Sequence, residues 1–539
     1  MKYLALVICI SLLPLISIFS TPDLLHTHDG LVHIPRIAAF FKALSDGHFP
    51  VRWAGDLNYG YGMPLFNFIY QTPYYIASLF LLLKAGLVES LKLTLALSFV
   101  LSGITMYLFS KTFFQDEKKA ILVTLFYQFA PFRLVELLIR GSLGEVYTYV
   151  FFPLVLFGLT KFFAGMSYGY FLLTSIATAI LVISHNSVSL MFFAVLCGFV
   201  LFFAGPKKKM ALGFAGLSLG LVLSAFYWVP ALFEHRYTYG DLFMKNLYLP
   251  HFVPIQNFFI PNLFNSKELQ TEGISAQIGL FHVTAILVSL WLLVKSKIDR
   301  NSKKLLIFSF LLLTFSFFFM QPVSKPLWER ISFLRQFQFP WRFLSVVSFA
   351  TALLSVVFLK LPIFRNTRVY IVLLLLVIAT TVFYWRPSLG YDKIDQSYYW
   401  NFPLTTTYFG ETDVIWSAGP AKAYAKEPVE VISGNATVSA YTRKTQLHTF
   451  TVDVQTGARL VDHTQYFPGW RVTVDGKPET VEFQDQNWQG QITFPVSEGK
   501  HTVQVAFGES KLRLFADFVS LGTFLSLMVG LLGRSISLR

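Results

Sequence analysis

The chain has 539 residues, of which 54% are hydrophobic, 17% aromatic and only 14% charged, with a mean hydropathy of +0.55. A soluble protein of this size needs far more charge to cover its surface, so the composition excludes one and points to a polytopic membrane protein. The excess of 44 Lys+Arg over 30 Asp+Glu is what cytosolic loops of such a protein carry, and it does not argue for nucleic-acid binding.

The first apolar run, near 3–20, has Lys2 ahead of it and ends in "SIFSTPD", a poor small-x-small cleavage site. It reads as a retained anchor rather than a cleaved signal. Further spans are expected near 90–109, 120–137, 147–163, 170–184, 187–204, 211–231, 277–294, 304–320, 342–360, 369–385 and 513–533. With the N-terminus inside, the short loops "KTFFQDEKK", "GPKKKM", "KSKIDRNSKK" and "KLPIFRNTR" fall in the cytosol, as does the tail with Arg534 and Arg539. Segment 64–84 is apolar enough to count as one more span, which would invert every later loop. Its Asn67, Gln71 and Pro73 are awkward in lipid, so it reads as a helix lying along or dipping into the outer face.

The expected fold is therefore mainly α, a transmembrane helical bundle of about 12 spans with a small extracytoplasmic β-sandwich near the C-terminus. Residues 1–385 form the transmembrane domain with an extracytoplasmic loop at 21–89. Residues 386–511 form the β-rich domain, and 512–539 the last helix. The β reading rests on alternating runs such as "HTFTVDVQ", "GWRVTVDGK" and "GKHTVQVAF", with "VDGK" as a hairpin turn. The two cysteines, Cys9 and Cys197, lie inside apolar runs, so no disulfide framework is expected.

Four polar stretches carry the candidate chemistry. The first is "HTHDGLVHIPR", with His26, His28, Asp29 and His33 just past the first span. Gly30 allows a turn into an amphipathic helix resting on the interface, with His33 on its polar side. By spacing alone Asp29 reads better as a helix cap in a solvated loop. H-x-H is not the spacing of a metallohydrolase, so a zinc site is disfavoured. The second stretch is "PFRLVELLIRGSLGEVYTYVFFP", holding Arg133, Glu136, Arg140 and Glu145 at membrane depth, where ionisable groups are costly. Arg133 and Glu136 stand at the spacing of a structural helical pair, and Glu145 is open to either a structural or a functional reading. The third is "VISHNSVSL", where His185 interrupts two apolar runs. The fourth is "SFLRQFQFPWRFL", where Arg335 and Arg342 sit among aromatics and could hold a phosphate or diphosphate. There is no Walker A loop, GxGxxG fingerprint or GxSxG elbow.

An acid after the first span, an interfacial helix and a second acid in the next outer loop resemble the GT-C membrane glycosyltransferases. More closely, "HDGLVHIPRIAAFFKALSDGHFPVRW", "YGYGMPLFNFIYQTPYY", "PFRLVELLIRGSLGE", "ISHN", "AFYWVPALFE" and "QFPWRF" resemble bacterial membrane proteins with a domain related to 6-pyruvoyl-tetrahydropterin synthase. "YFPGWRVTVDGK" is similar to the tail of YfhO-type membrane proteins. The pterin label implies no pterin chemistry here, since the soluble synthases are compact zinc enzymes.

The resemblance implies a glycosyltransferase of the cytoplasmic (inner) membrane with both termini cytosolic. It would move a sugar from a polyprenyl-phosphate carrier to a cell-envelope polymer or glycolipid on the outer face. Asp29 would be the catalytic base and Glu145 the second acid, binding metal or orienting the acceptor. Arg140, and by charge Arg335 and Arg342, would neutralise the lipid phosphate, with Arg133, His28 and His185 lining the substrate site. No protein-only metal site is implied. A divalent cation, Mg or Mn, could sit between Asp29, Glu145 and a diphosphate. Two other classes stay open: a transporter or flippase of lipid-linked saccharides, disfavoured by spans with few polar residues at mid-membrane, and a non-enzymatic protein displaying the β-domain. In the latter, Tyr466, Phe467 and Trp470 would be a sugar-stacking surface or core residues, core being the better reading of Trp470 in an alternating strand.

Overall fold

A computed structural model describes residues 2–260, 274–295, 298–387, 389–401 and 410–536. Arg539 and part of the loop 295–304 lie outside the described residues.

Every expected span coincides with helix. Seven segments are long and apolar enough to cross a membrane: Lys2–Phe19, Leu87–Phe114, Leu143–Gly165, Asn186–Phe203, Arg300–Met320, Pro340–Lys360 and Lys511–Leu532. Two more of the expected spans coincide with bent helix pairs, Glu117–Gln128 with Pro131–Arg140 at 53°, and Lys207–Leu223 with Ala225–Tyr237 at 66°, each a broken span or a re-entrant loop. The remaining three are shorter apolar helices, Tyr168–Ser184, Leu280–Lys295 and Thr367–Ala379, below the roughly 20 residues that a straight crossing needs. The chain is thus mainly helical, with seven to nine candidate membrane spans among the described residues.

Helices meet closely where side chains are small. A Cβ on Gly103 would lie 2.5 Å from Gln128 Nε2 and 2.8 Å from Ser11 Oγ. Gln128 donates to Phe99 O at 2.7 Å and accepts from Ser102 Oγ at 2.9 Å. Small residues and inward polar groups of this kind join helices in lipid. Segment 64–84 breaks into Leu65–Phe68 and Thr72–Leu82. The break is filled by Gln71, whose side chain donates to Val51 O at 2.9 Å and Phe66 O at 2.8 Å.

Strand β1 (Leu24–Leu25) pairs antiparallel with β2 (Tyr391–Asp392), tying the chain beside Asp29 to the segment after the bundle. Six further strands form the β-domain: β3 (Val429–Lys444), β4 (Leu447–Gln465), β5 (Trp470–Val474), β6 (Lys477–Glu479), β7 (Gln491–Val496) and β8 (Gly499–Phe507). Hydrogen bonds join all six in one sheet, ordered β3-β4-β8-β5-β6 with β7 on β4. The first half of β4 pairs with β8 and its second half with β7. Register shifts between Val431 and Ala436 mark where β3 is irregular. There Gly434 has φ +82°, and a Cβ on it would lie 2.3 Å from Gly457 O. Phe450, Leu460, Trp470 and Phe494, from both halves, share one apolar core. The "VDGK" turn joins β5 to β6 with Asp475 and Gly476 at φ +49° and +77°, as a type I′ hairpin requires.

The loop 46–64 is built into this domain. Trp53 is buried in its core, edge-on to Trp470 at 5.4 Å and 83°. A buried ion cluster fastens the domain to the bundle. Arg52, wholly buried, bonds Asp517 at 2.9 Å, Glu509 at 3.3 Å and Phe226 O at 2.7 Å. Arg513 bonds Glu234 at 3.2 Å and also donates to Pro468 O, and Asn67 donates to Glu234 at 2.9 Å.

Candidate functional site

Four segments converge at the end of the bundle that adjoins β1, and each is shaped for it locally. After Gln128 the chain breaks at Pro131, which has no N–H to continue a helix, and winds into a π-turn over Val135–Arg140. Glu136 pairs there with Arg140, four residues on, at 2.6 Å, and not with Arg133, three residues back.

Gly141 then turns at φ +63°, and a Cβ there would lie 2.3 Å from Thr27 Oγ1. That close approach lets the Asp29 loop lie on the turn: His28 N–H donates to Ile139 O at 3.1 Å and Asp29 N–H to Arg140 O at 2.8 Å. Gly144 is equally confined, a Cβ there falling 2.6 Å from the Tyr70 ring. Both glycines of "GSLGE" are thus fixed by contact.

Glu145, in the first turn of Leu143–Gly165, is the hub. Its Oε1 accepts from Arg140 Nη1 at 2.8 Å and from Arg342 Nε at 2.9 Å. His185 Nε2 lies 3.7 Å from the same oxygen. His185 also caps its helix, Nδ1 accepting from Val188 N–H at 3.2 Å, so the neutral ring carries its proton on Nε2, toward Glu145. The His185 ring stacks on Tyr70 at 5.3 Å. Trp341 lies under Arg140 at 4.6 Å, and Phe339 under Arg342 at 4.8 Å.

Asp29 stands at the rim. Its carboxylate is 3.8 Å from Arg140 Nη2 and its side chain is 38% exposed, whereas those of Glu136 and Glu145 are fully buried. The site therefore has an accessible carboxylate backed by a buried lattice of two guanidiniums and two carboxylates. A Glu136 and a Glu145 oxygen find no hydrogen-bond partner among the described residues.

Of the residues singled out in the sequence, Asp29, Glu145, Arg140, His185 and Arg342 come together. Arg133 does not join them. It is buried in the bundle over the Tyr149 ring at 3.8 Å, with Phe99 and Tyr127 farther off, and donates to Ser102 Oγ at 2.9 Å. Arg335 is held apart by the carbonyls of Trp328 and Glu329. Glu136, read from its spacing as a structural partner of Arg133, belongs to the lattice instead. The signal for it was Arg140, four residues after Glu136 and as close in helical spacing as Arg133.

The histidines diverge. His26 pairs with Asp392 at 2.9 Å. Burial lowers the His28 pKa, with Asp29 opposing. His33 is not on a polar face: it is buried, its Nδ1 3.2 Å from Tyr74 OH. Burial, aided by Arg36, pushes it down to about 3. The divalent-ion expectation fits poorly, because Arg140 already lies between Asp29 and Glu145. No group of three or more metal-ligating side chains forms among the described residues, so no step below runs through a metal.

Residues 66–388, more than half of the chain, match the family model described as "6-pyruvoyl-tetrahydropterin synthase related domain; membrane protein". The chain belongs to this family. The family segment holds Glu136, Arg140, Glu145, His185 and Arg342, whereas Asp29 precedes it. No curated protein matches the chain. Among solved structures it is similar to the arabinofuranosyltransferase AftD from Mycobacteria, at 16% identity and a TM-score of 0.47 over 72% of this chain and 27% of that one. It is also similar to the Archaeoglobus fulgidus oligosaccharyltransferase, at 16% identity and 0.44 over 74% of this chain and 54% of that one. The chain thus spans about a quarter and about half of those two chains.

Proposed function

We propose that this family member is an integral membrane glycosyltransferase. It transfers a sugar from a polyprenyl-phosphate donor to a cell-envelope polymer or glycolipid on the extracytoplasmic face of the cytoplasmic membrane. The observation that carries the reading is the accessible Asp29 carboxylate held against a buried Arg–Glu lattice at one end of an apolar bundle. Buried ionisable groups in such a bundle are costly and mark functional sites. The sequence resemblance to GT-C enzymes agrees with it.

In this reading Asp29 takes the proton of the acceptor hydroxyl as its oxygen bonds to the anomeric carbon. The anomeric carbon–phosphate oxygen bond breaks, and polyprenyl phosphate leaves with the electron pair. Arg140 faces the reacting groups through Nη2, the arm not held by the glutamates, and stabilises the leaving charge. Glu145 is a positioning residue, since its engaged oxygen orients Arg140 and Arg342 together. The twelve-span topology with cytosolic termini, and the β-domain on the acceptor side, complete the proposal.

The test is mass spectrometry of lipid-linked sugars and envelope glycans in a deletion strain. Wild type should restore one glycan, and Asp29→Asn should leave the lipid-linked donor accumulated. Full restoration by Asp29→Asn would sink the reading.

One observation favours the transporter alternative. Arg133, Ser102 and Gln128 put polar groups in the bundle interior, where the sequence reading expected few. Exchange of labelled lipid in proteoliposomes, unaffected by Asp29→Asn, would support it. The display reading loses two of its three stacking residues, because Phe467 and Trp470 are buried in the β-domain core, while Tyr466 is partly buried and stacked on Phe483 at 4.0 Å.

A further inference from the structure

A second site lies away from the ionic lattice, where the loop 46–64 meets the β-domain. A cavity of about 160 Å³ opens there. Tyr59, Tyr61, Tyr424 and Tyr441 supply its aromatic walls, and Arg443, Asp462, His463 and Thr464 its polar groups. Tyr59 and Tyr424 meet edge-to-face at 5.0 Å and 71°.

The wall is built at a conformational cost. Asn58 and Tyr59 both have left-handed backbone, at φ +58° and +56°. Asn tolerates this, whereas a tyrosine rarely does, and such strain persists only where surrounding contacts enforce it. Here Asn58 Oδ1 accepts from Ala421 N–H at 2.9 Å, and Arg443 donates to Gly55 O and Gly60 O, both at 2.7 Å. Core packing does not explain the result, because Tyr59 is only partly buried and Tyr424 is 47% exposed.

The chemistry selects the ligand. Asp462 is 1% exposed, and its Oδ2 is held by His448 Nδ1 at 2.9 Å. Burial raises its carboxyl, but His448 and neighbouring donors outweigh this and lower it, so it stays ionised. The Arg443 charge is matched by the Asp462 carboxylate, its Nη2 is committed to two carbonyls, and His463 lies 3.2 Å from Glu430, which together disfavour phosphate and other anions. The cavity is smaller than the roughly 300–1,000 Å³ of drug-sized sites, which disfavours a peptide. Aromatic faces with an acceptor and a hydroxyl suit a flat, neutral polyol with apolar C–H faces. We propose that this cavity binds one neutral sugar ring, a unit of a glycan presented to the β-domain. Binding itself does not depend on the transferase reading, although the acceptor glycan is its natural occupant there.

The experiment uses the full chain in lipid nanodiscs, since glycoside detergents would compete. Saturation-transfer NMR is run with methyl glucoside, methyl galactoside, methyl mannoside and N-acetylglucosamine. At least one should saturate in the millimolar range. Tyr424→Ala, an exposed position, should weaken it tenfold or more without changing the thermal midpoint, and Asp462→Asn should weaken it too. Asp29→Asn should bind as wild type does, which keeps this result apart from any failure of the transferase reading. Absence of saturation by all four sugars at about 50 mM overturns the proposal. So does binding unchanged in Tyr424→Ala, or lost in Asp29→Asn while kept in Tyr424→Ala, which would put the sugar at the ionic lattice.

Discussion

Asp29 and Arg140 are joined twice, once by backbone and once by charge. The Asp29 N–H donates to the Arg140 carbonyl at 2.8 Å, and the carboxylate lies 3.8 Å from the guanidinium. Asp29 is thus positioned by its main chain, and its side chain is free to do chemistry.

This separation makes Asp29→Asn a clean variant. The backbone bond survives, so the thermal midpoint should stay at the wild-type value. Loss of a general base typically costs about 10²–10⁴-fold in rate, so glycan restoration in the deletion strain should fall by that order. A large drop in thermal midpoint would show instead that the carboxylate is structural.

The two glutamates should separate. Glu145→Gln weakens the acceptor of both Arg140 and Arg342, whereas Glu136→Gln weakens one arm of Arg140. Breaking a buried ion pair costs about 3–5 kcal/mol, and Glu145→Gln should approach that, with Glu136→Gln costing less. Because Arg342 depends on Glu145, adding Arg342→Met should recover part of the loss. Denaturant unfolding in nanodiscs gives the cycle, and simple additivity would refute the hub.

Much of the membrane fold was legible because span length and apolar runs are set by bilayer thickness. Asp29, Arg140 and Glu145 were legible because charges are conspicuous in apolar sequence. The π-turn was not, and helical spacing alone offers Glu136 both Arg133, three residues back, and Arg140, four residues on. His33 was misjudged because one turn of an amphipathic pattern does not reveal that Thr72–Leu82 covers that face. The irregular register of β3 at Gly434 depends on its close approach to Gly457 on β4, and the Trp53 insertion on contact with Trp470 hundreds of residues away, neither of which local alternation encodes.

Arg52 and Asp517 hold the loop 46–64 to the last helix at 2.9 Å, with Arg52 wholly buried. Arg52→Gln takes from Asp517 its counter-charge where the β-domain meets the bundle, and leaves Glu509 with Arg513 at 3.5 Å. The expected outcome is a loss of about 3 kcal/mol or more, with faster proteolysis between the β-domain and Lys511–Ile536. Limited proteolysis followed by mass spectrometry reads both. Cleavage at the wild-type rate would mean that Trp53 packing and the Arg513–Glu234 pair hold the junction without Arg52.

Acid should destabilise the protein through two buried histidines outside the candidate spans. His33 and His48 are each pushed down to about 3, chiefly by burial, from an ordinary 6.5. Above pH 6.5 both are neutral folded and unfolded, and neither affects stability. Between 6.5 and 3 the unfolded chain binds protons that the folded one refuses, so stability falls as pH falls. Each group costs about 2 kcal/mol by pH 5, at about 1.4 kcal/mol per unit. His48→Asn should therefore flatten the decline of thermal midpoint between pH 6.5 and 4.5, and His33→Asn should do so if the Tyr74 contact tolerates it. Parallel curves for wild type and His48→Asn would show that His48 takes up its proton in the folded state and that burial does not hold it neutral.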